Sequence, residues 1–296
     1  MHDNTFMNMI TAYKKSVLFF SAFKSGLFEW LADEPKSTTE LCNLSGIDSV
    51  ILFPWLQILE DMGVVMREED KWYENPKLGL EKKRNIINHE YMNYKKYNTP
   101  ESLLENMMLG AGKRAFDICG FTDEEYERYC KAMYGENLRQ TAILLYRELR
   151  KKKVEEYLEY GRSMGYLSVH LQKWFKNMNV DIVTEQRLIE KVQEGKMYHI
   201  ITMNNTVHYL NDIQMRALLS DFRKVMEIGS VLCIIDIFLK DGNWNYGVFV
   251  DWVTHGGIFY MKLEELECVL AEEGFIVYKN IFDEATSMNL LFIKQR

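Results

Sequence analysis

The chain has 296 residues, of which 47% are apolar and 27% charged, and its 36 Lys and Arg against 43 Asp and Glu give a formal net charge of −7. This composition is that of a globular protein and excludes a disordered chain, and the length predicts about two domains. The net negative charge argues against binding to nucleic acid, because the phosphate backbone requires a basic protein surface.

The cysteines and the apolar runs indicate in which cellular compartment the protein is found. Five cysteines are scattered along the sequence without a Cys-x-x-Cys pair. They indicate neither a disulfide framework nor a structural zinc site, so we expect a reduced, cytoplasmic protein with no bound metal. The apolar run at 17–20 is too short for a signal peptide, and no run approaches the roughly 18–20 apolar residues of a membrane span. We therefore expect no membrane partner.

Short amphipathic helices followed by a small hairpin are predicted over residues 1–84. Ser37 and Glu40 have the spacing of a helix N-cap, and Ser49 is placed to cap the next helix. Helices followed by a hairpin in this order predict a winged-helix domain. The predicted helices are 9–23, 27–31, 40–44 and 49–63, and the predicted strands are 64–66 and 72–73.

A winged helix commonly binds DNA through a helix whose Arg, Lys, Asn or Gln side chains enter the groove. Residues 49–62 offer only Gln57 among such groups, and they include the acidic Glu60 and Asp61. We therefore expect the apolar faces of 9–31 and 49–63 to be covered by a second copy, in a homodimer formed through the N-terminal domain. Transcription regulation is the weakest alternative.

The pattern changes twice beyond the hairpin. Residues 85–150 show mainly helical spacing, at 101–109, 123–131 and 137–149, and we predict that they link the front domain to the rest. From 151 to 296, strands and helices alternate, which predicts an α/β domain with a mainly parallel sheet covered on both faces. The predicted strands are 154–160, 180–184, 197–203, 230–238, 274–281 and 289–293, and the predicted helices are 167–175, 212–226 and 262–272.

A cofactor signal lies where the first predicted strand passes into a helix. Gly161 and Gly165 permit a tight turn, and the helix that follows offers free N–H groups to a ligand, although an ordinary strand-to-helix turn also explains them. About twenty residues later, Glu185 stands just past the second strand, where an acid can accept hydrogen bonds from a ribose diol. Together the two features favour a nucleotide-type cofactor site.

A candidate base follows the third predicted strand. His208 precedes a helix that begins near Asp212, which places its imidazole at the carboxyl edge of the sheet, where open α/β sheets bind ligands. An imidazole, with an ordinary pKa of about 6.5, is the natural base near neutral pH. Asp236 ends the next strand and is placed to orient it. The sequence allows both a catalytic role and a packing role for His208.

Six segments along residues 9–290 match, in order and spacing, sequence segments of a known protein family. They are 25–31 (Ser-Gly-Leu-Phe-Glu-Trp-Leu), 56–65 (Leu-Gln-Ile-Leu-Glu-Asp-Met-Gly-Val-Val), 132–134 (Ala-Met-Tyr), 207–212 (Val-His-Tyr-Leu-Asn-Asp), Asp251 with Gly256-Gly257, and 271–275 (Ala-Glu-Glu-Gly-Phe). The chain thereby resembles small-molecule O-methyltransferases with an N-terminal winged-helix dimerisation domain, namely the plant caffeate-type and bacterial polyketide-tailoring enzymes.

The resemblance implies a Rossmann-like domain that binds S-adenosylmethionine (SAM) and methylates a hydroxylated aromatic or polyketide-like small molecule. It places His208 on the family's general base and Asp236 on the acid that holds this histidine. It also implies a cofactor site that contains Glu159, Gly161, Arg162, Ser163, Gly165, Glu185 and Asn204.

The chain departs from the family pattern in the part that grips the cofactor. Arg162 and Ser163 stand where the family has small glycines, so Arg162 either pairs with the cofactor carboxylate or occludes the site. Only 23 residues separate Glu185 from His208, where the family fits a further helix, a strand and an acidic adenine-floor motif. These departures keep an alternative open: a pseudo-methyltransferase without SAM, acting as a partner subunit of a biosynthetic protein, a metabolite binder or a non-methylating enzyme.

Overall fold

The computed structural model describes residues 5–109, 130–131, 137–161, 165–239, 246–255, 257, 259–284 and 286–296. Contacts between Cα atoms divide the chain into two compact units, Met1–Tyr91 and Met92–Arg296. This division falls seven residues beyond the predicted domain end at 84. It also assigns residues 92–150, predicted as part of a linking region, to the second unit.

Helices followed by a small antiparallel sheet form the first unit. The strands have the order β1–β3–β2, and the hairpin of β2 and β3 follows the helices as the sequence predicts, whereas the short β1 is an additional strand. The elements are α1 (Thr5–Ser25), α2 (Leu27–Asp33), β1 (Lys36–Ser37), α3 (Thr38–Ser45), α4 (Ser49–Asp61), β2 (Val65–Glu68), β3 (Lys71–Glu74) and α5 (Arg84–Met92), whose last residue belongs to the second unit.

Local hydrogen bonds explain where the helices of the first unit begin. Ser37 and Glu40 form the predicted cap at the start of α3: the Glu40 N–H donates to the Ser37 hydroxyl, and the Ser37 N–H donates to the Glu40 carboxylate. Helix α4 is capped by Asp48, whose carboxylate accepts from the Val50 N–H at 2.8 Å, and not by Ser49 as predicted. Asp48 is the better cap because its carboxylate also complements the positive end of the helix dipole.

The second unit is built on a six-stranded sheet with the order β5–β4–β6–β7–β9–β8. Strands β5, β4, β6 and β7 are parallel, while β9 runs antiparallel to both β7 and β8. All six predicted strands are present, and the predicted α/β fold class is confirmed. The strands are β4 (Glu156–Gly161), β5 (Asn179–Val183), β6 (Tyr198–Asn204), β7 (Met226–Asp236), β8 (Phe275–Asp283) and β9 (Met288–Gln295).

Helices cover both faces of this sheet. The core on one face includes Tyr157, Ile200 and Cys233 and the helices that precede and follow β4, and the core on the other face includes Leu158, Ile201 and Leu232. Because both faces are packed, every residue of the central strand β6 is buried. The helices are α6 (Pro100–Leu109), α7 (Asn137–Leu149), α8 (Tyr166–Leu171), α9 (Glu185–Gln193), α10 (Asp212–Val225), α11 (Tyr246–His255) and α12 (Leu263–Glu272).

One side of the sheet is short, as the spacing of Glu185 and His208 predicts. Between these residues the chain forms only the helix α9, which was not predicted, and the strand β6, which pairs with β4. Within the described part of the chain, β5 therefore has β4 as its single partner and forms an edge of the sheet. The missing β-α unit is the one that the resemblance associates with the adenine.

The helices also bear on the membrane prediction. Among the residues described, no single helix is long and apolar enough to cross a membrane. Helices α3 and α4 meet such a criterion only when they are taken together, by length and composition, and they are bent by 113° where they meet.

Candidate functional site

The parallel strands bring the predicted site residues to one edge of the sheet. In the strand registers Gly161 lies opposite Asn204, and Asn204 lies opposite Ile235, which directly precedes Asp236. These residues end β4, β6 and β7, so they line up at the carboxyl edge, where ligands bind in such sheets. His208 follows β6 in a single 3₁₀ turn, Val207–Tyr209.

The structure brings His208 and Asp236 together, as the sequence predicts. The Nε2 atom of His208 lies 2.8 Å from Oδ1 of Asp236, although the two groups are not aligned as a linear hydrogen bond. On the other side of the ring, Nδ1 lies 2.9 Å from the backbone carbonyl oxygen of Phe259. Only 1% of each of the two residues is exposed. Both ring nitrogens are thus occupied by this chain's own oxygen atoms.

Backbone groups hold the Asp236 side chain in one orientation. Its Oδ2 accepts from the N–H groups of Thr206 and Val207, at 3.0 and 3.2 Å, and its Oδ1 accepts from the N–H of Ile237 at 3.0 Å. Since the Phe259 carbonyl can only accept, Nδ1 of His208 is the donor to it, and Nε2 lies on the side of the ring that faces Asp236.

Two aromatic rings pack against His208, and neither of them was predicted from the sequence to belong to the site. The Trp252 ring centroid lies 3.7 Å from that of His208, with 34° between the ring planes, and the Phe238 ring meets the imidazole edge-on at 5.8 Å. Trp252 belongs to α11 and follows Asp251, one of the family landmarks. That neighbouring landmark is the only signal by which the sequence could have indicated Trp252.

The glycine turn between β4 and α8 is packed against the chain's own side chains. Gly161 and Gly165 have φ angles of +105° and +87°. A Cβ atom on Gly161 would lie 2.2 Å from the Thr206 hydroxyl, and one on Gly165 would lie 2.5 Å from Cδ1 of Ile182. This packing requires both glycines whether or not a ligand binds. Arg162 and Ser163, which complete the predicted turn, lie outside the described residues.

The remaining predicted cofactor residues differ in accessibility. Glu159 is fully buried, and its carboxylate accepts from the N–H groups of Gly165 and Ser168, at 3.2 and 2.8 Å. Glu159 thus holds the start of α8 in place, and Asn204 is likewise fully buried at the end of β6. Glu185, in contrast, is exposed at the first position of α9. Of these three side chains, only that of Glu185 is open to a ligand from solution.

The tyrosines below this edge are neutral. Tyr157 and Thr202 share a hydrogen bond of 2.6 Å between their hydroxyl oxygens. Burial raises the pKa of Tyr157 well above its ordinary value, and the charge of Glu159 raises it further. Burial also raises the pKa of Tyr160, with a smaller contribution from Glu185. Neither phenol is therefore a base near neutral pH.

Two observations bear on whether these residues fit SAM. The hydroxyl of Thr141 in α7 is fully buried and has no hydrogen-bond partner among the described residues. Thr141 lies about 12 Å before the C-terminal end of α7, which is the end that leads into β4. This distance places it toward the carboxyl edge of the sheet. Glu185 supplies the carboxylate that a ribose diol requires. Thr141 and Glu185 are thus residue types that suit the methionine and ribose ends of SAM, while no strand beyond β5 is present among the described residues to support the adenine.

Solved structures of low sequence identity match nearly the whole chain. The mitomycin 7-O-methyltransferase MmcR is 15% identical, with 99% of this chain and 98% of that chain covered and a TM-score of 0.78. An O-methyltransferase family protein from Burkholderia thailandensis is 13% identical, with coverages of 98% and 97% and a TM-score of 0.78. CalO1, a methyltransferase of calicheamicin biosynthesis with SAH bound, is 15% identical, with coverages of 98% and 97% and a TM-score of 0.74.

The chain has the O-methyltransferase fold. No family model matches it, and no curated protein matches it by sequence. At 13–15% identity, the likeness establishes the architecture of the O-methyltransferase fold, and activity has to be argued from the site.

Proposed function

We propose that the protein binds SAM and transfers its methyl group to a hydroxyl of a small molecule, a hydroxylated aromatic or polyketide-like compound of secondary metabolism. The observation that carries the proposal is the placement of His208 and Asp236 beside the β4–α8 turn at the carboxyl edge of an O-methyltransferase fold. The chemistry named for MmcR, and the SAH bound to CalO1, support the reaction and the cofactor class.

Each residue has a definite task in this proposal. SAM, when bound, supplies an electrophilic methyl group on a sulfonium centre. Glu185 would accept hydrogen bonds from the ribose hydroxyls, and the Thr141 hydroxyl would bind the methionine end. His208 removes the proton of the substrate hydroxyl at Nε2, which requires that the ring first turns away from Asp236. Positioning supplies most of the remaining rate enhancement.

Titration calorimetry tests whether the protein binds SAM. We expect Glu185→Gln to raise the Kd for SAM about tenfold, because the hydrogen bonds of a charged carboxylate contribute roughly 1.5–3 kcal/mol and a neutral amide retains only part of this. Glu190→Gln is the matched control, since Glu190 is exposed on the same helix, and we expect less than a twofold change. If the unaltered protein releases no heat and shows no thermal shift at millimolar SAM, the proposal is wrong.

A second candidate is a pseudo-methyltransferase, and the closed state of His208 favours it. The ring is enclosed by Trp252 and Phe238, and both of its nitrogens are engaged. The missing β-α unit further reduces the cofactor site. A His208→Ala protein that leaves every pathway product unchanged supports a role as a partner subunit or metabolite binder, whereas a loss of product with intact folding supports catalysis.

We also propose that a second copy of the chain covers the apolar face of the first unit. Val50, Ile51 and Ile58 of α4 are 78%, 66% and 43% exposed, and Met9 and Tyr13 of α1 are 65% and 61% exposed. Large apolar side chains exposed to this extent are typical of an interface rather than of a free face.

A substitution on this face tests the homodimer. We expect Ile51→Asp to convert a dimer into a monomer in sedimentation velocity at micromolar concentration, because a buried carboxylate at the interface opposes association. Ile213→Asp is the control, since Ile213 is 79% exposed in the second unit, and it leaves the dimer intact. A monomeric unaltered protein contradicts the proposal.

A further inference from the structure

We propose that Trp252 is a substrate-selecting gate: its indole occupies the place where the aromatic ring of a substrate stacks on His208, and a flat aromatic ring displaces it. The inference rests on the proposed function for the nature of the substrate. The contacts of His208 alone support the gate.

The stacking distance leaves no space for a ligand. Aromatic rings in proteins commonly pair with their centroids about 4.5–7 Å apart, and the Trp252 and His208 centroids are 3.7 Å apart. The edge of the imidazole is covered by Phe238, and the two ring nitrogens face Asp236 and Phe259. The imidazole is therefore closed to small molecules in this state, and Trp252 is the side chain that lies against its face.

The flat face of the imidazole determines which ligand can replace the indole. Another aromatic ring can pair with this face as the indole does, and a phenol or catechol offers such a ring. A saturated ring with the same hydroxyls has no such face and cannot compensate for the lost stack. Displacement thus selects flat aromatic alcohols over aliphatic ones.

The backbone beside Trp252 is held, which indicates that the indole moves by side-chain rotation. The Trp252 carbonyl accepts from the Gly257 N–H at 2.7 Å. Gly257 in turn packs so closely on Tyr209 that a Cβ atom there would lie 2.9 Å from Cε1 of that ring. On the other side, the Asp251 carboxylate accepts from the side-chain amide of Asn98 at 3.0 Å. With these anchors in place, rotation of the indole opens the face of His208.

Histidine footprinting with diethyl pyrocarbonate tests the gate without SAM. This reagent acylates accessible imidazoles that carry a free lone pair, and peptide mass spectrometry locates the product. In the unaltered protein, we expect His208 to react at least about tenfold more slowly than the partly exposed His170. Without the indole the imidazole can turn away from Asp236 and expose Nε2, so Trp252→Ala removes this protection, while Trp252→Phe, which keeps a stacking ring, retains most of it. Trp252→Leu replaces the alanine variant if that protein fails to fold, as judged by circular dichroism.

Ligand binding provides the second measurement. Trp252→Ala is expected to bind catechol at least about tenfold more tightly than the unaltered protein does, with no change for trans-cyclohexane-1,2-diol. The gate is overturned if His208 of the unaltered protein reacts as fast as His170, if folded Trp252→Ala keeps the protection, or if catechol and the diol bind alike. Because no cofactor is used, a failure to bind SAM rejects the methyltransferase proposal and leaves these outcomes unaffected.

Discussion

Asp236→Ala is expected to lower the free energy of unfolding by about 3–5 kcal/mol, because several buried donors lose their acceptor and each such loss costs about 1–3 kcal/mol. The substitution removes the group that lies 2.8 Å from Nε2 of His208, where both residues are only 1% exposed. It also leaves the N–H groups of Thr206, Val207 and Ile237 without their acceptor. Since a typical domain is stable by about 5–15 kcal/mol, this is one of the largest effects that a single substitution produces here.

Denaturant unfolding of four variants checks this result: Asp236→Ala, His208→Ala, their double variant and Asp212→Ala. Asp212→Ala is the control, because Asp212 forms an exposed ion pair of 2.8 Å with Arg216, and surface pairs contribute about 0–1 kcal/mol. The double variant should lose less than the sum of the two single losses, since Asp236 and His208 contact one another. A loss for Asp236→Ala no larger than that for Asp212→Ala contradicts the structural role of Asp236.

Gly161→Ala is expected to cost about 2–5 kcal/mol, from two separate causes. The φ angle of +105° is unfavourable for any residue with a Cβ atom. That atom would also lie 2.2 Å from the Thr206 hydroxyl, so the chain that follows β6 has to move. Because Thr206 and Asp236 are joined by a hydrogen bond, the movement reaches the His208–Asp236 pair.

Two further variants separate the causes. Gly229→Ala measures the backbone effect alone, since Gly229 has a φ of +85° and an added Cβ would meet nothing within 4 Å. Thr206→Ala removes the hydroxyl and leaves the nearest remaining atoms of the two neighbours at 3.4 Å from the added Cβ. We therefore expect the Gly161→Ala/Thr206→Ala protein to recover part of the loss. If Gly161→Ala costs no more than Gly229→Ala, close packing at this turn is not important.

The sequence predicted those features that depend on local spacing and chain order. Ser37 and Glu40 form their cap because a helix start involves only four consecutive residues. The pairing of His208 with Asp236 follows from the ends of adjacent parallel strands, which have to meet at the same edge. The short spacing between Glu185 and His208 likewise allowed the shortened side of the sheet to be predicted, because a strand and a helix need a minimum number of residues.

Side-chain direction could not be predicted in this way. Glu159 lies near the end of β4 and Asn204 ends β6, but their burial is decided by neighbours that the local sequence does not specify. The stack of Trp252 on His208 joins residues 44 positions apart through a helix that was not among those predicted. Helix α9 was missed as well, since its short and mostly charged sequence shows only a brief apolar pattern around the buried Leu188.

The shortened sheet has a consequence for how the protein behaves in solution. A strand with a neighbour on one side only presents a row of free amide and carbonyl groups, which is a template for self-association. Here that strand is only five residues long, and near its middle Asp181 contacts Lys196 at 2.6 Å and the hydroxyl of Tyr198 at 2.6 Å. Short length and fixed charge are two means by which natural sheets discourage aggregation. A fold with one β-α unit fewer can therefore remain a discrete particle at high concentration.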